Sequence, residues 1–436
     1  MYSKKELKDV LIVGFALFAV FFGAGNIIFP PAIGLASGSS WSPALIGLII
    51  TGILLPVLGI IAVSEAGGSF AELSKPVSSW FYIIFNLAVM IGVGMFANIP
   101  RTAAVAYELG VHPLFPQIPS LPVIVIYFAL AYYFTIDKSS VIDKVGKILT
   151  PVMIILLTLI VIKGLILPVG VPSDTGIKNA FSNAFITAYQ TGDVLTGLLC
   201  GALFVGTIRS KGYTDPKDSK RIVKGASLIA FMGLFIVYGG LLFIGACASG
   251  TVPLDTDKSV LLTGLVKQLL GNVGIVMLSV SVFLATLTTC IGLTSSLGDF
   301  ISEVTKGKIS YKACVTVTYI VGIILGNLGV EKIIGYAIPI FVAIYPVAII
   351  LVFFGLFNKY IPNKGSYRGA VICTLLISMV DALAMWGLKM PAVSALIAKI
   401  PFASSGFAWL IPAIVGFIFG TIIYKMTYKQ DLEIVS

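Results

Sequence analysis

This sequence predicts an all-α polytopic membrane protein, and three observations predict it. Of 436 residues, 58% are hydrophobic and only 11% charged, where a soluble domain carries about 25% charge; mean hydropathy is +1.04. Apolar windows of about 20 residues, the length that crosses a bilayer core, recur along the whole chain. Two of those windows are broken at their middles by glycine and polar residues.

Taken in order, the expected spans are 9–34, 43–64, 79–107, 119–136, 146–167, 181–208, 222–248, 272–301, 311–328, 332–357, 367–388 and 405–427. That makes about twelve transmembrane helices in a single transmembrane domain, 1–436. The first span is too long for a cleavable signal, and no small-residue cleavage site ends it. Its phrase Phe22-Gly23-Ala24-Gly25-Asn26, followed by Pro30 and Pro31, cannot run as a straight helix, because glycine is a poor helix former and proline lacks a donor N–H. In lipid the backbone groups freed there need partners inside the protein, so the break lines a cavity. Close packing of small residues explains Gly23 and Ala24, but not Asn26 or the prolines.

The sixth span carries the second break, Tyr189-Gln190-Thr191-Gly192-Asp193. A carboxylate at membrane depth is costly and marks function by default. Asp193 either binds an ion or an ammonium, carries a proton, or caps the second half-helix, where a negative charge is favoured. Five spans separate the two breaks. Five is odd, so two five-span units face opposite ways, an inverted repeat with one broken helix in each half. The first repeat is 9–167 and the second 181–357, with 367–427 as two accessory helices. Between the seventh and eighth spans, 254–271 reads as an amphipathic helix (Leu261, Leu262, Leu265, Val266, Leu269, Leu270) outside the membrane core.

The eighth span holds Ala285 and the hydroxyls of Thr286, Thr288, Thr289, Thr294, Ser295 and Ser296, which either ligate a hard cation or bond back to their own helix. The third span holds Asn98, Arg101 and Glu108. Arg101 and Glu108 are seven residues apart, on one helical face, as an outer gate, a substrate contact or an interfacial ion pair. Asp381 in the eleventh span receives no role.

Charge sets the orientation. With the N-terminus inside, the outer loops hold Lys163, Lys178, Lys258, Lys267, Lys332, Lys389 and Lys399; the rest of the 29 lysines and arginines, Arg101 apart, lie inside. This bias predicts that both termini are cytoplasmic. Trp41, Trp80, Trp386 and Trp409 fall at span ends, as an aromatic belt requires. The net charge of +10 sits in short loops and forms no nucleic-acid patch. The five cysteines lie in apolar runs without paired spacing, and the single histidine, His112, is in a proline-containing loop. Neither a metal centre nor a disulfide framework is indicated, no cofactor is expected, and no catalytic cluster suggests an enzyme. An ion channel or receptor is the rival class, but a channel would show a repeated pore segment.

The phrase from Gly14 to Pro31 resembles the opening span of bacterial branched-chain amino acid carriers (the BrnQ-type, LIVCS family), and Pro100 to Glu108 and Tyr189 to Asp193 are similar to that family as well. The resemblance covers the whole chain. It implies the LeuT-like five-plus-five fold and a symporter importing leucine, isoleucine and valine across the bacterial cell membrane. It also implies a sodium site made by the Ala285 carbonyl, the Thr288 and Thr289 hydroxyls, and carbonyls of Ala19 and Phe22. Substrate would lie against Phe22 to Asn26 and Tyr189 to Asp193. Neutral oxygens suit Na+, whereas Asp193 keeps H+ open as the coupling ion.

Overall fold

The computed structural model describes residues 3–137, 141–388 and 390–434; of residues 24, 25, 137, 141–153 and 428–434 only the backbone is described. Lys389, one of the expected outer lysines, lies outside the described residues. Among the described residues there are helices and no strand. In chain order they are α1 (Lys4–Phe21), α2 (Phe29–Ser37), α3 (Trp41–Ile49), α4 (Leu55–Glu65), α5 (Phe70–Ser74), α6 (Phe81–Leu87), α7 (Ile99–Val105), α8 (Ser120–Asp137), α9 (Val141–Ile166), α10 (Ala180–Thr187), α11 (Asp193–Ser210), α12 (Pro216–Cys247), α13 (Lys258–Val304), α14 (Tyr311–Gly326), α15 (Val330–Leu356), α16 (Lys364–Met385), α17 (Pro391–Ile397) and α18 (Leu410–Ile434).

Every expected span coincides with a helical stretch. Eight stretches among the described residues are long and apolar enough to cross a membrane, and three shorter apolar helices accompany them. The first span divides into α1 and α2, and the sixth into α10 and α11. The amphipathic stretch before the eighth span is helical from Lys258 and meets α13 proper at a kink, Gly271, whose φ of 64° leaves the helical region. Its Leu261, Leu262, Leu265, Val266 and Leu269 are buried, so the apolar stripe faces protein.

Two spans depart from regular α geometry in a way apolar patterning does not encode. Ile50–Leu54 joins α3 to α4 as a π-helix, and Ala88–Asn98 and Ala106–Val111 flank α7 as π-helices. The i→i+5 pattern fits more residues into each turn. It therefore rotates the faces of the third span relative to an α-helical reading.

Packing sorts the helices into neighbourhoods. The helix α12 lies along α1 and α2, α4 along α11, and α3 along α10. A second set joins α13 to α7, α8 and α14, and a third joins α16 to α15 and α18. Three buried apolar clusters follow these neighbourhoods. The α2–α12 crossing is so close that a Cβ on Gly34 would stand 1.9 Å from the Leu242 carbonyl oxygen, and one on Gly245 would stand 2.0 Å from that of Pro31. Without a hydrophobic drive between helices in lipid, such small-residue contacts hold them together.

Candidate functional site

The first break starts where Phe22 (φ −89°, ψ 66°) and Gly23 (φ −75°, ψ 149°) leave the helical region; a 3-10 turn, Ala24–Ile27, then leads into α2, whose first turn holds a proline. The interruption strands the last carbonyls of α1. Asn26 folds back to satisfy one of them, its Nδ2 donating to the Phe21 carbonyl at 2.7 Å. The Tyr238 hydroxyl of α12 reaches the same oxygen at 3.4 Å.

The second break has the same parts in another order. Helix α10 passes directly into a 3-10 turn, Ala188–Thr191, and only then does Gly192, at φ 77°, turn the chain into α11. Here too a side chain takes a stranded carbonyl. Thr191 Oγ1 donates to the Ala188 carbonyl at 2.9 Å, and Arg101 Nη1 of α7 donates to that of Gln190 at 2.8 Å.

One residue joins the two breaks. Asn26 Nδ2 also donates to both carboxylate oxygens of Asp193, at 2.8 and 3.1 Å. Asp193 is 3% exposed and opens the first turn of α11. Its side chain thus reaches across to the opposite break while standing at the positive end of its own helix. Burying this carboxylate at membrane depth costs about 2.5–3.5 kcal/mol on insertion scales. A hydrogen bond to a charged group contributes about 1.5–3 kcal/mol, the positive end of α11 adds its share, and the Arg101 charge also acts on the carboxylate.

Beside the joined breaks lies a cavity of about 340 Å³. Its wall includes Ala19, Gly23, Asn26, Arg101, Thr191, Thr288 and Thr289, which sequence reasoning singled out. It also includes Ser296, from the same run of eighth-span hydroxyls, and Thr102, Thr196 and Cys200, to which sequence reasoning assigned no role. The cavity follows α1 back from the break and α11 and α13 forward, towards the end of the molecule that carries the N-terminus. Thr288 and Thr289 both donate to the Ala285 carbonyl at 2.9 Å, which places three oxygens of α13 together on this side. Arg101, 4% exposed, lies over the Phe29 ring at 5.4 Å from its centroid and spends its second nitrogen on Asn98 Oδ1 at 2.7 Å.

Several expected site residues are not on that wall. Phe22 stacks on Phe18 with ring centroids 5.3 Å apart. Tyr189 stacks on Tyr345 at 4.5 Å and faces α15 and Trp409 rather than the cavity. Gln190, Gly192 and Asp193 form its backing through the bonds described above, and of Ala24 and Gly25 only the backbone path is described. Tyr345, whose hydroxyl accepts from the Val194 N–H at the start of α11 at 3.3 Å, went unnoticed in the sequence. Its position next to Pro346, inside a helix, was the available signal.

Among the described residues Arg101 and Glu108 make no ion pair with each other. Glu108 accepts from the Val330 N–H at 2.9 Å, where it caps α15. The π-helix over Ala106–Val111 is the reason, since it turns Glu108 off the face that seven α-helical residues would share with Arg101.

The end of the molecule bearing the N-terminus is tied by ion pairs. Asp9 meets Lys211 at 3.0 Å, Glu65 meets Lys220 at 2.7 Å and Lys224 at 3.2 Å, and Glu6 meets Arg221. The Tyr213 hydroxyl donates to Asp9 at 2.8 Å, and burial first, then the Asp9 carboxylate, holds its pKa up at about 12. All these bonds link α1, α4, α11 and α12 with one another.

Comparison with known proteins gives the family and the fold. The family profile described as "Branched-chain amino acid transport protein" matches residues 6–427. The chain is 33% identical over 434 residues to the branched-chain amino acid permease BraB of Bacillus subtilis, with 97% of each covered. It is 32% identical to the branched-chain amino acid transport system 2 carrier protein of Pseudomonas aeruginosa, again over 97% of each. Among solved structures, it superposes on the inward-facing conformation of Mhp1 with a TM-score of 0.59 at 15% identity, covering 96% of this chain and 91% of that one. It superposes on a manganese transporter of Eremococcus coleocola with a TM-score of 0.58 at 14% identity, covering 99% and 97%. Both likenesses show a shared transporter fold, in keeping with the expected LeuT-like class, and the chain is a multi-pass membrane protein.

Proposed function

The chain belongs to the branched-chain amino acid transport proteins, and from that premise we propose that it imports leucine, isoleucine and valine through the joined breaks, coupled to Na+. It is a transporter and not an enzyme. The observation that carries the reading is the bridge from Asn26 to Asp193 beside a cavity that also receives Thr288 and Thr289. Main-chain N–H groups at Gly23 to Gly25, near the start of α2, hold the substrate carboxylate. Oxygens of the sixth break hold its ammonium, and the aliphatic side chain fills the remaining space. Arg101, which joins α7 to the Gln190 carbonyl, closes the side away from the N-terminus.

Both termini are cytoplasmic in this proposal, so the cavity faces inward. One helical bundle rocks against the other to expose the site alternately, within two five-span repeats, 9–167 and 181–357, and with 367–427 accessory. The Na+ ligands are the Ala19, Phe22 and Ala285 carbonyls and the Thr288 and Thr289 hydroxyls. Neutral oxygens of this kind bind a hard cation without taking up a proton. The second reading, H+ coupling, draws on the buried Asp193 carboxylate.

The test is labelled leucine uptake into proteoliposomes under either a Na+ gradient or a pH gradient. Uptake that needs Na+ supports the sodium site; undiminished uptake without Na+ transfers the coupling to Asp193. Thr289→Ala raises the Na+ concentration for half-maximal uptake on the order of tenfold, the equivalent of about 1.4 kcal/mol. An unchanged Na+ dependence removes Thr289 from the ligand set.

A further inference from the structure

A larger cavity, of about 530 Å³, lies away from the central one, between α10, α15, α16, α17 and the segment leading into α18. Helix α10 precedes the sixth break while α11 runs from it towards the N-terminal end of the molecule. This cavity therefore sits on the opposite side of the membrane from the opening of the central one.

Its wall carries three polar groups for which the proposed mechanism has no use. Tyr189 and Trp409 are 2% and 6% exposed; the Tyr189 hydroxyl and the Trp409 indole nitrogen lie near one another, and neither has another hydrogen-bond partner among the described residues. Buried polar groups left unpaired are rare, and each asks for an explanation such as a ligand. The third is Asp381, a half-buried carboxylate within a membrane helix, which makes no hydrogen bond or ion pair among the described residues. The rest of the wall is mostly apolar, including Ile186, Val342 and Ile397. A carboxylate, two hydrogen-bond donors and an aliphatic wall form the complement of one ligand class. The carboxylate matches an ammonium, the donors match a carboxylate, and the wall matches a branched side chain.

We propose that this cavity is a second binding site for an aliphatic α-amino acid, distinct from the central site and on the outer side of the protein. Tyr189 gives it a route to the centre. The same residue forms part of the 3-10 turn of the sixth break and stacks on Tyr345, whose hydroxyl accepts from Val194 at the start of α11. A ligand in the outer cavity thus presses on the element that frames the central site. The proposal rests on the amino acid reading of the preceding subsection.

Equilibrium binding of labelled leucine to the full-length protein in lipid nanodiscs tests it. The wild type is expected to saturate with two leucines per chain. Asp381→Asn, which removes the ammonium partner at constant shape, and Ile397→Trp, which fills the cavity, are each expected to leave one. If one of the two variants fails to fold, the other carries the test. Asn26→Ala removes the central leucine instead, and adding Asp381→Asn abolishes the remaining binding. Saturation of the wild type at one leucine, or retention of the second by both cavity variants, overturns the outer site. Cation-driven uptake measured on the same preparation separates the two readings. Uptake with a single bound leucine overturns the outer site and leaves the transport reading intact, whereas absence of both binding and uptake overturns the two together.

Discussion

The two breaks share their parts and differ in what holds them open. In the first, the chain leaves the helix by an ordinary extended path: Gly23 sits at φ −75°, which any residue adopts, and a Cβ there would come no nearer than 4.0 Å to Asn26 Nδ2. In the sixth, Gly192 sits at φ 77°, and a Cβ would stand 3.3 Å from Asn98 Nδ2. One glycine therefore keeps space free at a cavity wall; the other makes the turn possible. The stranded carbonyls differ in the same way. Each break is capped from within, the first by Asn26 and the sixth by Thr191, but the partner supplied from another helix is a 3.4 Å contact from the Tyr238 hydroxyl in the first and a 2.8 Å bond from the Arg101 guanidinium in the sixth. The sixth is thus tied to a neighbouring helix more firmly than the first.

The largest effect should come from the bond the breaks share. Asp193→Asn removes the charge that Asn26 serves, and at about 1.5–3 kcal/mol for such a bond uptake of leucine in proteoliposomes falls about 10- to 100-fold. Uptake within twofold of wild type would make the bridge structural only. Next comes the cap supplied from outside. Arg101→Lys keeps the charge but loses the planar fork that serves Gln190 and Asn98 together, and uptake drops about tenfold, while Asn98→Ala, which leaves the Gln190 bond in place, costs less. Equal losses would mean that the two arms of the guanidinium are worth the same. The glycines give the smallest and most discriminating contrast. Gly192→Ala should destabilise the protein by about 1–2 kcal/mol, the cost of a side chain in the left-handed region, read as a lowered melting temperature. Gly23→Ala should change stability by less than about 0.5 kcal/mol and yet weaken leucine binding, because its methyl enters the cavity. A comparable loss of stability for both would erase the distinction between a spacer and a turn.

How much of this was readable in the chain depends on the kind of signal. Gly23 to Asn26 and Gly192-Asp193 stood out because glycine and polar groups at mid-span contradict an unbroken membrane helix. Arg101 stood out as the single arginine at membrane depth, but its partner did not. Pairing it with Glu108 assumed α-helical spacing, and the π-helices around α7 changed the faces. Phe22 and Tyr189, expected to enclose the substrate side chain, pack instead on Phe18 and Tyr345, because nothing in an aromatic residue's sequence position says which side of a broken helix it faces.

By itself, the sequence determined that the chain crosses the membrane repeatedly and which helices cannot run straight, since hydropathy and backbone propensity are local properties. It also assembled the hydroxyls of Thr288 and Thr289 next to Ala285, neighbours on one helix turn. Only the tertiary structure decided that Asn26 grips Asp193 across 167 positions of chain, that Arg101 takes the Gln190 carbonyl, and that Tyr189 turns towards Trp409 and Asp381. Those choices depend on which faces meet when helices pack, and a linear pattern of apolar residues leaves that open.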